Sequence, residues 1–123
     1  MLAIVAYVLA LILSLFIIWI GVRFLVQPHA AAAGYGVPVP ADANRTYLTV
    51  KGLRDGSYGI VGLALIAFAP AHAVAWLMLV VAINPLGDTL VVLRNGGSRA
   101  VAFGIHFATA VVVLADAALL FAV

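Results

Sequence analysis

Four apolar runs separated by short polar intervals make up most of the chain. The first, Leu2 to Val26, holds one charge, Arg23, near its end. The second is uninterrupted only from Gly59 to Ala69, about half of the roughly 20 residues needed to cross a bilayer as a helix. It stops at Pro70, and counting back a full span reaches Val50, which carries Arg54, Asp55 and Tyr58 into the segment. The third runs from Ala71 to Leu93 and includes Asn84, Pro85, Gly87 and Asp88. The fourth runs from Ala100 to Val123 and includes His106 and Asp116. The pattern predicts an all-α integral membrane protein, a single domain over 1–123. Its four transmembrane helices, about 2–26, 50–69, 71–93 and 100–123, form an up-down bundle.

The one long connection is 27–49. Its Pro28, Gly34, Gly36, Pro38 and Pro40 read as loop in the first part, and Asp42 or Asn44 is placed to cap a helix that starts before Lys51. The stretch RNGGSR, 94 to 99, reads as a tight turn with Ser98 as the next N-cap. Pro85 removes one helical hydrogen bond and crowds the carbonyl of Val81, so INPLGD should kink or open. The glycines Gly52, Gly56, Gly59 and Gly62 permit a close helix crossing or leave floor for a ligand, the first two in a small-xxx-small spacing.

Composition leaves little alternative to lipid as the solvent. The chain is 67% hydrophobic and 8% charged, with a mean hydropathy of +1.30, whereas a soluble domain is roughly 25% charged. The absence of cysteine removes disulfides, thiolate metal sites and thiol nucleophiles. A net charge of +2, spread thinly, gives no footprint for nucleic acid. HAAAAG at 29–34 looks like a signal-peptide cleavage site. However, no Lys or Arg precedes the first run, and that run is far longer than a signal's apolar core, so it reads as a retained span.

In an up-down bundle the ends of spans one and three share a side with the starts of spans two and four. All six basic residues, Arg23, Arg45, Lys51, Arg54, Arg94 and Arg99, then fall on that side. The positive-inside rule makes it cytoplasmic, with both termini outside, in a bacterial inner membrane. Membrane lipid is one partner. Span one, largely apolar along its length, offers a face for a homodimer.

At about 1.5 Å per residue, Arg23, Asp55, Asp88, Tyr58, His106 and Asn84 lie roughly 5 to 15 Å below the basic edge. Four helices thus bring polar groups to one level. Arg54 and Tyr58, Asp55 and Tyr58, and Asn84 and Asp88 share helix faces at spacings of three or four. Ionisable groups facing lipid cost about 2.5–3.5 kcal/mol each at mid-helix, so inward pairing is expected, Arg54 with Asp55 and Arg23 with Asp88. Asp116, near the other end, is expected to bond Tyr7. His72 reads as an interfacial turn residue, and two arginines in the layer disfavour a metal. No residue pattern calls for a cofactor.

Three functions fit such a layer. One is an acid–base enzyme on a lipophilic small molecule, an isomerase, cyclase or epoxide-opening catalyst, with His106, Asp55 and Asp88 as catalytic groups. Arg54, Tyr58, Asn84 and Arg23 would contact substrate, and apolar walls such as Ile60, Leu63 and Phe103 would enclose it. The second is a proton-coupled carrier, which would need a polar half-path on the far side beyond Asp116. The third is a structural or accessory protein whose layer is an ion-pair clamp.

GLRDGSYGIVGL, NPLGDTLVVL and AFGIHFATAVVVL together resemble a family of small bacterial four-helix membrane proteins known as domain of unknown function 4267. The resemblance covers about Lys51 to Leu120 and rests on Gly52, Arg54, Asp55, Gly59, Asp88 and His106. It implies the four-helix membrane fold and no particular activity. Two other small four-span classes do not fit: there is no acidic residue before Asp42, unlike the small multidrug transporters, and the glycine-rich Arg-Tyr stretch of the fluoride channels is absent.

Overall fold

The computed structural model describes all 123 residues, Met1–Val123. The helices are α1 (Leu2–Val26), α2 (Pro28–Tyr35), α3 (Thr46–Phe68), α4 (Ala71–Val81), α5 (Ile83–Arg94), the single turn α6 (Arg99–Val101), a π-helical stretch Ala102–Phe107, and α7 (Ala108–Phe121). There are no strands. Leu2–Val26, the α4–α5 rod Ala71–Arg94 and the rod Arg99–Phe121 are each long and apolar enough to cross a membrane. With 23 residues α3 matches them in length. Its Lys51, Arg54 and Asp55 set it apart in composition. Large apolar side chains cover the outside, among them Ile4, Ile12, Leu15, Ile60, Phe68, Val80, Leu90 and Val111. A soluble fold would bury such residues, and the chain is a helical membrane protein.

The rods alternate in direction. Gly21 meets Gly52 and Gly56, and Ser14 meets Gly59 and Gly62, so α1 and α3 run antiparallel. Asp88 on α5 faces His106 in the π stretch, while His72 at the start of α4 reaches the carbonyl of Phe121 at the end of α7 (3.3 Å). The crossing of α1 and α3 depends on missing side chains. A Cβ on Gly21 would sit 2.5 Å from the Gly56 nitrogen and 2.7 Å from the Gly52 oxygen. On α3 the buried residues are Gly52, Asp55, Gly59 and Gly62, one stripe at spacings of three and four. Gly56 lies off that stripe, and a Cβ there meets nothing within 4 Å. The backbone of the 52/56 pair thus lies at the crossing against Gly21, and Gly59 carries the close approach on to Ser14.

Two apolar clusters hold the ends. Ala6 and Ala10 of α1, Val74, Ala75 and Met78 of α4, and Val113, Ala117 and Leu120 of α7 form the larger, at the end away from the basic residues. Phe24, Ala31 and Ala32 form the smaller and pin α2 under α1 and α3. That short helix corrects the loop expected after Gln27. Pro28 starts it and Gly36, at φ 108, ends it in the left-handed conformation, a proline-in, glycine-out pattern with a physical basis. Asn44 does act near the start of α3, its Oδ1 accepting from the Thr46 N–H at 2.8 Å. Ser98 caps α6 through Val101 N–H at 3.1 Å.

The expected break at Pro85 is present, displaced to Ala82, where α4 ends and α5 begins. Pro85 has no N–H to offer Val81, and the helix resumes with Leu86 N–H on the Ala82 carbonyl at 3.2 Å. The π stretch was not anticipated. Such stretches widen one turn and recur at functional sites, and this one contains His106.

Candidate functional site

Between the two apolar clusters lies a cavity of about 460 Å³, within the roughly 300–1,000 Å³ of small-molecule sites. Leu13, Ile17 and Ile20 of α1 form one wall, and Leu77, Met78 and Val81 of α4 the other. Its polar end gathers Arg23, Tyr35, Lys51, Asp55, Asp88 and His106, with Tyr58 and Asn84 beside them. Tyr58 on α3 and Asn84 on α5 are both exposed, and these two helices make next to no contact, so the cavity has a lateral gap between them. Ile60, Leu63 and Phe103, expected as its walls, lie outside it.

The polar end is organised by Tyr35, the last residue of α2. Its hydroxyl donates to Asp88 Oδ1 at 2.6 Å. Its backbone carbonyl receives His106 Nε2 at 2.7 Å, and the two rings lie 4.5 Å apart. Because a carbonyl can only accept, Nε2 must carry the hydrogen, which fixes the tautomer of a neutral His106. Nδ1 then presents a lone pair 3.9 Å from Asp88 Oδ2. That is too long for a hydrogen bond, but a proton arriving on Nδ1 would convert the contact into an ion pair. The π stretch lets both ring nitrogens face partners while His106 stays 8% exposed. Tyr35 lies outside the long rods. Burial, then the bond to Asp88, holds its phenol far above the usual 10.0, so it remains a donor at any physiological pH.

Asp55 is 7% exposed and accepts from Lys51 Nζ at 3.0 Å, one helical turn away. The same ammonium lies 5.1 Å from the ring centres of both Phe24 and Tyr35. The expected pairs Arg54–Asp55 and Arg23–Asp88 do not form. Arg54 precedes Asp55, a 100° rotation away about α3, and points away from the cavity, exposed. Arg23 does line the cavity, but its guanidinium packs on Trp19, 5.4 Å from the ring centre, and meets no carboxylate. Of the expected site residues, His106, Asp55, Asp88, Tyr58, Asn84 and Arg23 share the cavity, and Arg54 does not.

Lys51 and Tyr35 complete the cluster and were not anticipated. Lys51 stands four residues before Asp55, a spacing that could have revealed it. Tyr35 could have been found through the Pro28–Gly36 helix pattern. Asp116 differs from expectation: it is 0% exposed, and neither carboxyl oxygen has a hydrogen-bond partner, Tyr7 included. No three His, Asp or Glu side chains are grouped as metal ligands would be.

The matching positions extend well beyond these motifs. Residues 14–120 match the domain of unknown function family DUF4267. The chain belongs to this family. No curated protein and no solved structure matches it. The family match covers every residue of the polar cluster, from Arg23 to His106, and attaches no chemistry to it.

Proposed function

We propose that this DUF4267 protein crosses the bilayer four times, α3 supplying the fourth span. In this reading the cavity binds a lipophilic small molecule drawn from the membrane and the Asp88–His106 pair moves a proton on it. The carrying observation is the fixed ring of His106: Nε2 is spent on the Tyr35 carbonyl, and Nδ1 stands opposite Asp88 at the polar end of an apolar cavity. A histidine so held exchanges protons through one atom only. Isomerisation, cyclisation and epoxide opening all proceed by proton transfer to or from the substrate, with apolar walls to hold the rest of the molecule.

The charged residues of α3 do not argue against a fourth span. Asp55 is paired and buried against α1, and Lys51 lies near the start of the helix, where a long side chain reaches the interface. With four spans, the six basic residues share one side, which the positive-inside rule makes cytoplasmic, and both termini lie opposite. A C-terminal reporter active only outside the cytoplasm should be active. A reporter active only inside should be silent, and the reverse result overturns this orientation.

The binding and chemistry are tested by organic extraction and mass spectrometry of protein held in lipid nanodiscs. Wild type is compared with Asp88→Asn and His106→Ala. A compound enriched over empty nanodiscs, and accumulating further in the variants, marks a substrate whose turnover has stopped. Equal recovery from all three removes the catalytic role, and no enrichment at all removes the cavity as a binding site.

One observation favours a second reading. The Tyr35–Asp88 bond joins α2 to α5, and the Lys51 ammonium, bonded to Asp55 within α3, lies over the Tyr35 ring, so the three helices are tied around the cavity. A clamp would show as loss of folding, without any bound compound, when Asp88 is replaced. A carrier is supported less: Asp116, the carboxyl toward the far end, has no hydrogen-bond partner to continue a relay.

A further inference from the structure

Both carboxylates of the cavity already have partners, and one of its cations does not. Asp55 is bonded by Lys51, and Asp88 by Tyr35 with His106 alongside. Arg23 is half-buried, lines the cavity, pairs with no carboxylate and makes no hydrogen bond from its side chain; its guanidinium lies over the face of Trp19. An arginine fork in a low-dielectric site, with its donors unspent, is a strong anion receptor, and the guanidinium geometry matches carboxylate and phosphate. Trp19 holds one face of the guanidinium and leaves the in-plane N–H donors free. Beyond Arg23 the same helix face continues as Ile20, Ile17 and Leu13, all lining the cavity.

We infer that the cavity takes a single-chain amphipathic anion, its headgroup on Arg23 and its tail along Ile20, Ile17 and Leu13 toward Met78. This rests on the cavity being a ligand site, and narrows that ligand to one carrying a carboxylate or phosphate. With His106 neutral the four charged side chains, Arg23, Lys51, Asp55 and Asp88, sum to zero, so the anion is attracted by the free donors of Arg23 rather than by an overall positive cavity. A neutral lipid of the same length lacks the group that those donors need.

The test uses wild-type protein and the variants Arg23→Gln and Arg23→Lys in zwitterionic nanodiscs. Three fluorescent probes of equal chain length are compared: a fatty acid, the corresponding alkyl phosphate and the corresponding alcohol. Wild type should bind the two anions at least 10-fold more tightly than the alcohol. Arg23→Gln should bring all three together, and Arg23→Lys should restore part of the preference. The stronger of the two anions identifies the headgroup. If the alcohol binds as well as the anions, or if the preference survives in Arg23→Gln, Arg23 serves only as an interfacial anchor and the inference falls while the cavity stands. If no probe binds wild type, the inference and the ligand-site reading fall together. Circular dichroism of each variant confirms its helix content, so that lost binding is not lost fold.

Discussion

His106 and Tyr35 are joined through the backbone of one and the ring of the other: the imidazole Nε2 donates to the tyrosine carbonyl at 2.7 Å while the phenol donates to Asp88. A side chain on the fourth rod is thereby oriented by a short helix that spans nothing. Replacing Tyr35 with Phe keeps the carbonyl and removes only the donor. The His106 ring should keep its Nε2–H tautomer in ¹⁵N NMR, while thermal stability falls by about 1.5–3 kcal/mol, the range for a hydrogen bond to a charged group.

The same phenol sets a pH dependence. Its proton is held in the folded state above the ordinary 10.0. An unfolded chain releases the proton near pH 10 and the folded chain does not, so the contribution is complete below pH 10 and declines as pH rises further. Tyrosinate absorbance during titration should therefore be short by one tyrosine until the protein unfolds, and Tyr35→Phe should remove the shortfall.

The α1–α3 crossing makes opposite predictions for two glycines of one interface. Gly21→Ala drives a Cβ into the backbone of α3, which has no rotamer to give way, and should cost about 1–3 kcal/mol. Gly56→Ala meets nothing within 4 Å and should be neutral or stabilising by up to about 1 kcal/mol, the helix preference of alanine. Detergent melting temperatures of the two variants decide the point; equal losses would refute the crossing.

Lys51 and Asp55 form a pair that matters more when half of it is removed. Lys51→Met leaves Asp55 buried without its partner and should lose about 3–5 kcal/mol, whereas Lys51→Met with Asp55→Leu should recover much of it. Arg54→Met, on the exposed side of the same helix, should change stability by less than about 0.5 kcal/mol.

Asp116 has the opposite character. Both of its oxygens are buried and have no hydrogen-bond partner. An unsatisfied buried polar group costs about 1–3 kcal/mol, so Asp116→Leu should raise the melting temperature. A loss instead would mean that Asp116 has a partner, such as an ordered water, that the helices alone do not supply.

The level of the polar groups was legible before any fold was known, because depth along a helix depends only on its rise and on where the apolar run ends. Asp55, Asp88, His106 and Arg23 meet for that reason. Rotation about the helix axis was less legible. Asp55 shares a stripe with Gly52, Gly59 and Gly62, and it is the packing of that stripe on α1 that turns Asp55 inward and Arg54 outward. The sequence alone determined an all-helical membrane chain, its breaks at Pro70 and near Pro85, and the gathering of its basic residues at one end. Hydropathy, proline geometry and charge are local properties, and no partner is needed to read them. The tertiary structure alone decided that Lys51 rather than Arg54 pairs with Asp55, that Arg23 is left without a carboxylate, and that Tyr35 holds His106. Each depends on which faces of separate helices meet, and side chains far apart in the chain settle that together.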